Sequence, residues 1–114
     1  MATLINISKN TIISNKAIVG DTFFKRLKGW LGRKNFNWGE SLIIRPCKWI
    51  HTFFMRFPVD VIFVNAENKI VAMKSCFKPW RISGIYWRAR FVIELPCGTI
   101  KRTSTTIGDI IELI

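Results

Sequence analysis

Short apolar stretches separated by turn residues dominate the chain. Polar and apolar residues alternate over 3–7, and a second short stretch at 16–19 follows the turn residues Asn10 and Asn15. Alternation of this kind is typical of half-buried strands. The same reasoning predicts further strands over 41–45, 59–64, 69–74, 88–95 and 109–114. The sequence Asn65-Ala66-Glu67-Asn68 has the composition of a turn, so 59–64 and 69–74 are predicted to form a hairpin.

One helix is predicted early in the chain. Gly20-Asp21-Thr22 offers an N-cap, and Gly32 marks an end. The apolar residues between them fall at helical spacing, namely Phe23, Phe24, Leu27, Trp30 and Leu31. Six to eight short strands with one short helix predict a β-rich α+β domain, built on a single compact, curled or barrel-like antiparallel or mixed sheet.

Length and composition limit the class of protein. The chain has 114 residues, without an internal repeat or a Pro/Gly/Ser-rich linker, so a single domain over 1–114 is predicted. Hydrophobic residues make up 49% of it, with 5 Trp and 9 Phe. This content excludes an intrinsically disordered chain.

The net charge points to an anionic partner. The 18 Lys and Arg against 7 Asp and Glu give +11, which exceeds the magnitude of about 2–8 that keeps a small domain soluble. The partner classes are nucleic acid, an anionic membrane surface or an acidic protein. The alternative is a solvated basic surface without a partner.

The cysteines and the ends of the chain bear on its location. The spacing of Cys47, Cys76 and Cys97 matches no disulfide framework, so reduced thiols are predicted. The first residues lack the features of a signal peptide, and no apolar stretch approaches the ~20 residues of a transmembrane helix. A cytoplasmic protein without a transmembrane segment is expected, and the sequence leaves its oligomeric state open.

The densest mixture of polar and apolar chemistry surrounds His51, the single histidine. If 47–57 is extended, alternate side chains share one face, namely Cys47, Trp49, His51, Phe53, Met55 and Phe57. Asp60 lies inside an apolar run, where an ionised carboxylate requires compensation. Arg33, Arg56, Thr52, His51 or backbone N–H groups are the candidates. We expect His51 and Asp60 to meet in a single polar cluster.

Catalytic and metal chemistry have little support. Cys47 and His51 would stand about 13 Å apart in a strand, so a nucleophilic pair requires a turn. A zinc site from Cys47, His51, Cys76 and Cys97 lacks the usual C-x₂₋₄-C knuckle. No metal and no cofactor are therefore predicted. Phosphate-binding loops and hydrolase motifs are absent from the sequence.

A second segment, 78–91, interleaves aromatic residues with cations. Single-stranded nucleic-acid grooves combine stacking platforms with cations in this way, and membrane interfaces use a similar mixture. The predicted surface for an anionic partner consists of Lys78, Trp80, Arg81, Trp87, Arg88 and Arg90. The alternative is that Trp80 and Trp87 cap a barrel mouth beneath arginine side chains.

The ordered motifs resemble the bacterial and archaeal domain-of-unknown-function family 192. The resemblance rests on 26–33, Ile50-His51-Thr52 with Pro58 and Asp60, and 92–98, with Gly108-Asp109 near the end. It implies a small β-rich domain with a short helix and no established activity. It also implies that the family-pattern residues lie together, namely Arg33, His51, Thr52, Met55, Pro58, Asp60 and Glu94. Cys97 departs from the alanine that is commoner before the glycine.

Three hypotheses of function follow. The first is a non-enzymatic accessory or binding module with a basic, aromatic surface for an anionic partner. The second is a small-molecule or hydrolytic site built on His51, Asp60 and Cys47. The third is single-stranded nucleic-acid binding through the segment from Trp80 to Arg90. The sequence does not decide whether the protein is an enzyme.

Overall fold

Strands account for most of the secondary structure of the described residues. A computed structural model describes residues 2–20, 37–53 and 55–114. Its strands are β1 (Ala2–Asn6), β2 (Thr11–Gly20), β3 (Glu40–Ile44), β4 (Val59–Val64), β5 (Ile70–Phe77), β6 (Phe91–Pro96) and β7 (Ile111–Leu113). One short helix, α1 (Thr99–Arg102), lies between β6 and β7. The β-rich prediction is confirmed, whereas the helix predicted over 23–31 falls outside the described residues.

The strands form one curled, mixed sheet. Their order is β5-β4-β6-β3-β2-β1-β7, and β2 and β3 run parallel while the other neighbours are antiparallel. An isolated bridge between Lys69 and Ile110 joins the start of β5 to the start of β7. The N–H of Ile70 also donates to the carbonyl of Asp109 over 2.9 Å. The curl therefore brings the two edges of the sheet together.

Strand β4 is the most deeply buried of the described strands. All six of its residues are buried, and it pairs on one side with β5 and on the other with β6. A strand that is covered on both faces carries a nearly continuous apolar run. The predicted hairpin of β4 and β5 is confirmed, and Asp60 is the single charged residue of the run.

Two apolar clusters lie on opposite faces of the sheet. The first, here called the barrel core, takes residues from strands across the whole sheet, including Leu4, Ile13, Ile43, Ile62, Ile70, Leu95 and Ile111. The second, the loop-covered core, combines Leu42, Val59, Val61, Phe63 and Val92 with Ile50, Met55 and Phe57 from the connection between β3 and β4. That connection carries the sequence around His51, so the loop-covered core positions it.

Helix α1 was not predicted from the sequence. It begins after Gly98, whose φ of 98° is in the left-handed region, where glycine is the least strained residue. Ile100 anchors the helix in the barrel core. The chain therefore enters a helical turn directly after β6.

Candidate functional site

Two segments outside the sheet lie side by side as a ribbon. His51 and Ile82 form an antiparallel bridge, and the N–H of Ser83 donates to the carbonyl of Ile50 over 2.9 Å. The Nζ atom of Lys48 donates to the carbonyls of Trp87 and Ala89 over 2.8 and 3.1 Å. These bonds fix the His51 segment against the aromatic-basic segment that the sequence singled out separately.

Thr52 is the central connection of the ribbon. Its side chain is fully buried, and its Oγ1 donates to the carbonyl of Lys78 over 2.6 Å. The same oxygen accepts the N–H of Arg81 over 3.0 Å, and the carbonyl of Thr52 accepts the N–H of Trp80 over 2.9 Å. One threonine therefore positions three residues of the predicted anionic-partner surface.

Four aromatic rings form a continuous row on the exposed side of the ribbon. We call Trp49, His51, Phe53 and Trp80 the aromatic row. Successive ring centroids lie 6.1, 5.0 and 6.1 Å apart. Trp49 is 47% exposed and Trp80 55%. Ile82, which is also exposed, stands opposite His51 and so projects to the same side.

The alternation predicted for 47–57 holds over part of this segment. Trp49, His51 and Phe53 share one face, as their ring contacts require. Met55 and Phe57 do not continue it, because the N–H of Met55 donates to the carbonyl of Thr52 and turns the chain. Both side chains are buried in the loop-covered core. Met55 is thus a core residue, which corrects the extended prediction.

A wide cleft continues from the aromatic row. We call it the basic groove; it has a volume of about 980 Å³ and is lined by 46–49, 65–67, Ile85 and 87–90. Trp49 belongs to both the row and the groove, and Trp87 on the groove wall is 74% exposed. The groove places Arg88 and Arg90 beside a large apolar ring.

The cations around this face form no ion pair with a carboxylate of the described residues, although Glu67 also lines the groove. Lys78, Arg81, Arg88 and Arg90 are exposed. Over the described ranges the ion pair found joins Lys9 to Asp109, and none of these four cations is paired. They are therefore available to an external anion.

The Cys47 thiol and the His51 ring form hydrogen bonds with nearby backbone groups. The Cys47 Sγ lies 2.9 Å from the carbonyl of Trp49, to which it donates. The Nδ1 atom of His51 accepts the N–H of Phe53 over 3.3 Å. The bond to Phe53 orients the imidazole within the aromatic row.

Asp60 is buried on the other face of the sheet. Its neighbours Val59 and Val61 point into the loop-covered core, so its side chain points towards the barrel core. Its Oδ1 accepts the N–H of Cys76 over 2.7 Å, and its Oδ2 accepts the N–H groups of Gly98 and Ile100 over 3.1 and 2.8 Å. Of the compensating groups expected from the sequence, backbone N–H groups are the ones observed. The polar cluster of His51 and Asp60 does not form.

Two of the three cysteines form a disulfide, which corrects the prediction of reduced thiols. Cys76 at the end of β5 and Cys97 directly after β6 are joined, with their Cα atoms 4.7 Å apart. Both strands flank β4, so the sheet brings their ends together across a separation of 21 residues. Sequence spacing carries no trace of this pairing. Cys47 lies outside this disulfide.

The comparisons with known proteins identify the family. The model of the family DUF192, described as "Uncharacterized ACR", matches residues 4–113. The chain belongs to the DUF192 family. It is 37% identical over 120 residues to the UPF0127 protein PYRAB11210 of Pyrococcus abyssi, an alignment that covers 100% of this chain and 99% of the relative.

Solved structures share the DUF192 fold of this chain. A protein of unknown function from Novosphingobium aromaticivorans DSM 12444 has a TM-score of 0.80 and 19% identity, over 97% of this chain and 82% of that one. A candidate transcription regulator from Sinorhizobium meliloti 1021 has a TM-score of 0.78 and 19% identity, over 98% of this chain and 91% of that one. At this identity the likeness concerns the fold.

The residues of the DUF192 pattern divide between two places. His51, Thr52 and Met55 belong to the ribbon and the core beneath it. Asp60 lies on the opposite face of the sheet. The fully buried Glu94 of β6 pairs with Val61 of β4, which places its side chain on the loop-covered side. Arg33 falls outside the described residues.

In the part of the chain that the structure describes, no helix is long and apolar enough to cross a membrane.

Proposed function

We propose that this DUF192 protein is a non-enzymatic binding module whose ligand is single-stranded nucleic acid. The aromatic row and the basic groove form the binding face. The observation that carries the proposal is the row itself, in which four neighbouring rings lie 5.0–6.1 Å apart on an exposed surface.

Bases stack on exposed aromatic rings without regard to sequence, and each stacked base contributes about 1–3 kcal/mol. The partly exposed rings of Trp49 and Trp80 near the two ends of the row offer faces for this contact. An exposed apolar row of this size carries a cost in water, and a stacking partner removes that cost.

The phosphate backbone accounts for the cations. Lys78 and Arg81 flank the aromatic row, while Arg88 and Arg90 line the groove. Cations without carboxylate partners release the counterions of a phosphate chain, which favours binding at low salt. The net charge of +11 adds long-range attraction.

The groove favours a polymer over a membrane. A bilayer surface is contacted by a protruding apolar face, whereas a cleft of about 980 Å³ between Trp49 and Trp87 fits an extended chain. The exposed Ile82 and Ile85 are features that a membrane would also use. Binding to an anionic membrane is therefore the competing outcome in the test.

The test is fluorescence anisotropy with a labelled oligothymidylate of about 12 nucleotides, within the roughly 4–16 that a small domain covers. We expect Trp49→Ala and Trp80→Ala each to weaken binding by about 5–100-fold. Trp38→Ala is the matched control, because Trp38 is 60% exposed but lies outside the row and the groove. Its affinity should equal that of the wild type.

Charge is tested by the salt dependence. Arg81→Gln should reduce the slope of log K against log salt by about 0.7, the value for one phosphate contact with a single strand. Lys101→Gln, an exposed cation on α1, should leave the slope unchanged. The proposal would be refuted if Trp38→Ala and Trp80→Ala lost equal affinity for the oligonucleotide. It would also be refuted if the protein bound phosphatidylserine vesicles but not the oligonucleotide.

A further inference from the structure

Three potential metal ligands meet where β4, β5 and β6 run side by side. They are the carboxylate of Asp60 and the Sγ atoms of Cys76 and Cys97, and one ligand atom from each lies within 4.8 Å of the others. The sheet order determines this meeting, since β5 and β6 are the two neighbours of β4. None of the three residues lines the basic groove or belongs to the aromatic row.

The carboxylate is already fixed in position. Three backbone N–H groups hold Asp60, two of them on Oδ2 and one on Oδ1. An ionised carboxylate has about four lone-pair sites, so among the described residues Oδ1 keeps capacity for one more partner. Hydrogen bonds of this kind orient a ligand before a metal arrives.

The two sulfur atoms are chemically accessible. Cys76 and Cys97 are partly exposed, whereas Asp60 is fully buried. A dithiol reductant can therefore transfer two electrons and two protons to the disulfide, which yields two protein thiols while the reductant becomes a disulfide. A divalent cation then displaces the two thiol protons and binds two thiolates.

We propose that reduced Cys76 and Cys97, together with Asp60, bind one thiophilic divalent cation of the zinc type. Thiolates select borderline and soft metals over Mg²⁺ and Ca²⁺. Tetrahedral coordination at about 2.0–2.3 Å places ligand atoms roughly 3.3–3.8 Å apart, whereas the sulfur atoms of a disulfide are about 2 Å apart. Once the disulfide is reduced, a displacement of about 1 Å by each Sγ atom therefore forms the site. A water molecule completes the four ligands from the exposed side.

The disulfide and the metal exclude each other, because both use the same two sulfur atoms. The site is consequently redox-controlled: oxidation closes it, and reduction by a dithiol opens it. Cys76 is also two residues before Lys78, so the site lies directly before the segment 78–91, which carries part of the proposed binding face. The metal site itself does not depend on the proposed nucleic-acid binding.

The probe is Co²⁺, titrated anaerobically into the intact reduced protein. We expect one equivalent to bind, with the near-ultraviolet thiolate-to-cobalt absorption of two sulfur ligands, and Zn²⁺ to displace it. The oxidised protein should show no such absorption. Cys47→Ser is the matched control, since Cys47 lies outside both the disulfide and the cluster. This variant should bind as the wild type does, whereas Cys76→Ser and Cys97→Ser should each lose at least about tenfold in affinity.

Asp60→Asn tests the third ligand but removes a buried, hydrogen-bonded charge. X-ray absorption of the zinc-loaded wild type therefore provides the second measurement, with two sulfur and two lighter ligands expected. Failure of reduced protein to bind Co²⁺, loss of binding in Cys47→Ser, a count of one or three sulfur ligands, or equal affinity in urea-unfolded chain would overturn the proposal.

Discussion

Thr52 and Arg81 are joined by reciprocal hydrogen bonds. The N–H of Thr52 donates to the carbonyl of Arg81 over 2.8 Å, and the N–H of Arg81 donates to the Thr52 hydroxyl over 3.0 Å. The pair connects the His51 segment to the segment of Trp80. The shape of the proposed binding face therefore depends on one buried hydroxyl.

Thr52→Val is expected to destabilise the protein and weaken oligonucleotide binding together. The valine methyl leaves the N–H of Arg81 and the carbonyl of Lys78 without their hydroxyl partner, at a cost of about 1–3 kcal/mol in the free energy of unfolding. Urea denaturation measures the first effect and anisotropy the second. Thr52→Ser keeps the hydroxyl and should retain most of the stability and most of the affinity for the oligonucleotide. Equal losses of stability and affinity in the two variants would argue against the hydroxyl's role.

Asp60→Asn should lower stability by about 2–5 kcal/mol, because it breaks a buried, charge-assisted set of hydrogen bonds. The asparagine NH₂ group would face N–H donors that now meet a carboxylate oxygen. Urea denaturation under oxidising conditions provides the measurement. Glu112→Gln on β7 is the control, since Glu112 is exposed. Similar midpoints for the two variants would contradict the assigned role of Asp60.

Cys97→Ser should reduce the stability of the oxidised protein by about 2–4 kcal/mol, the usual effect of one disulfide. The difference from the wild type should fall when both proteins are measured with a reductant. Cys47→Ser leaves the disulfide intact. The difference in stability between this variant and the wild type should therefore be the same with and without reductant. A wild type whose midpoint is unaffected by reductant would count against a stabilising disulfide.

Asp109 is expected to make stability depend on acidic pH. Burial would raise the pKa of Asp109, but hydrogen bonds from Asn6, Lys9 and Thr106 outweigh it and hold the pKa well below its usual value of 3.8. A carboxyl with a lowered folded-state pKa contributes stability that is fully present above the unfolded-state pKa and is lost as the pH falls below it.

The matching experiment compares the wild type with Asp109→Asn by urea denaturation across this range. The wild type should be more stable at neutral pH by about 1–3 kcal/mol. The gap should narrow as the pH falls below 3.8. A gap that is constant with pH would show that Asp109 stays protonated or unpaired in the folded protein.

The strands were largely predictable because their signal is local. β4 was predicted with its observed bounds, and β3 and β7 lie within a residue or two of the predicted stretches. Helix α1 was missed, since four residues after Gly98 carry no helical periodicity. The composition of the proposed binding face could also be predicted, because Trp80, Arg81 and Trp87 stand close together in the sequence.

The sequence by itself determined a β-rich domain, because apolar and polar residues alternate with the two-residue period of a strand. Its local composition also determined a basic, aromatic segment. The tertiary structure alone decided which distant residues meet. The order of strands around β4 joined Cys76 to Cys97 and enclosed Asp60 among backbone N–H groups far from His51. These contacts arise from packing between segments that are remote along the chain, and no local pattern of residues encodes them.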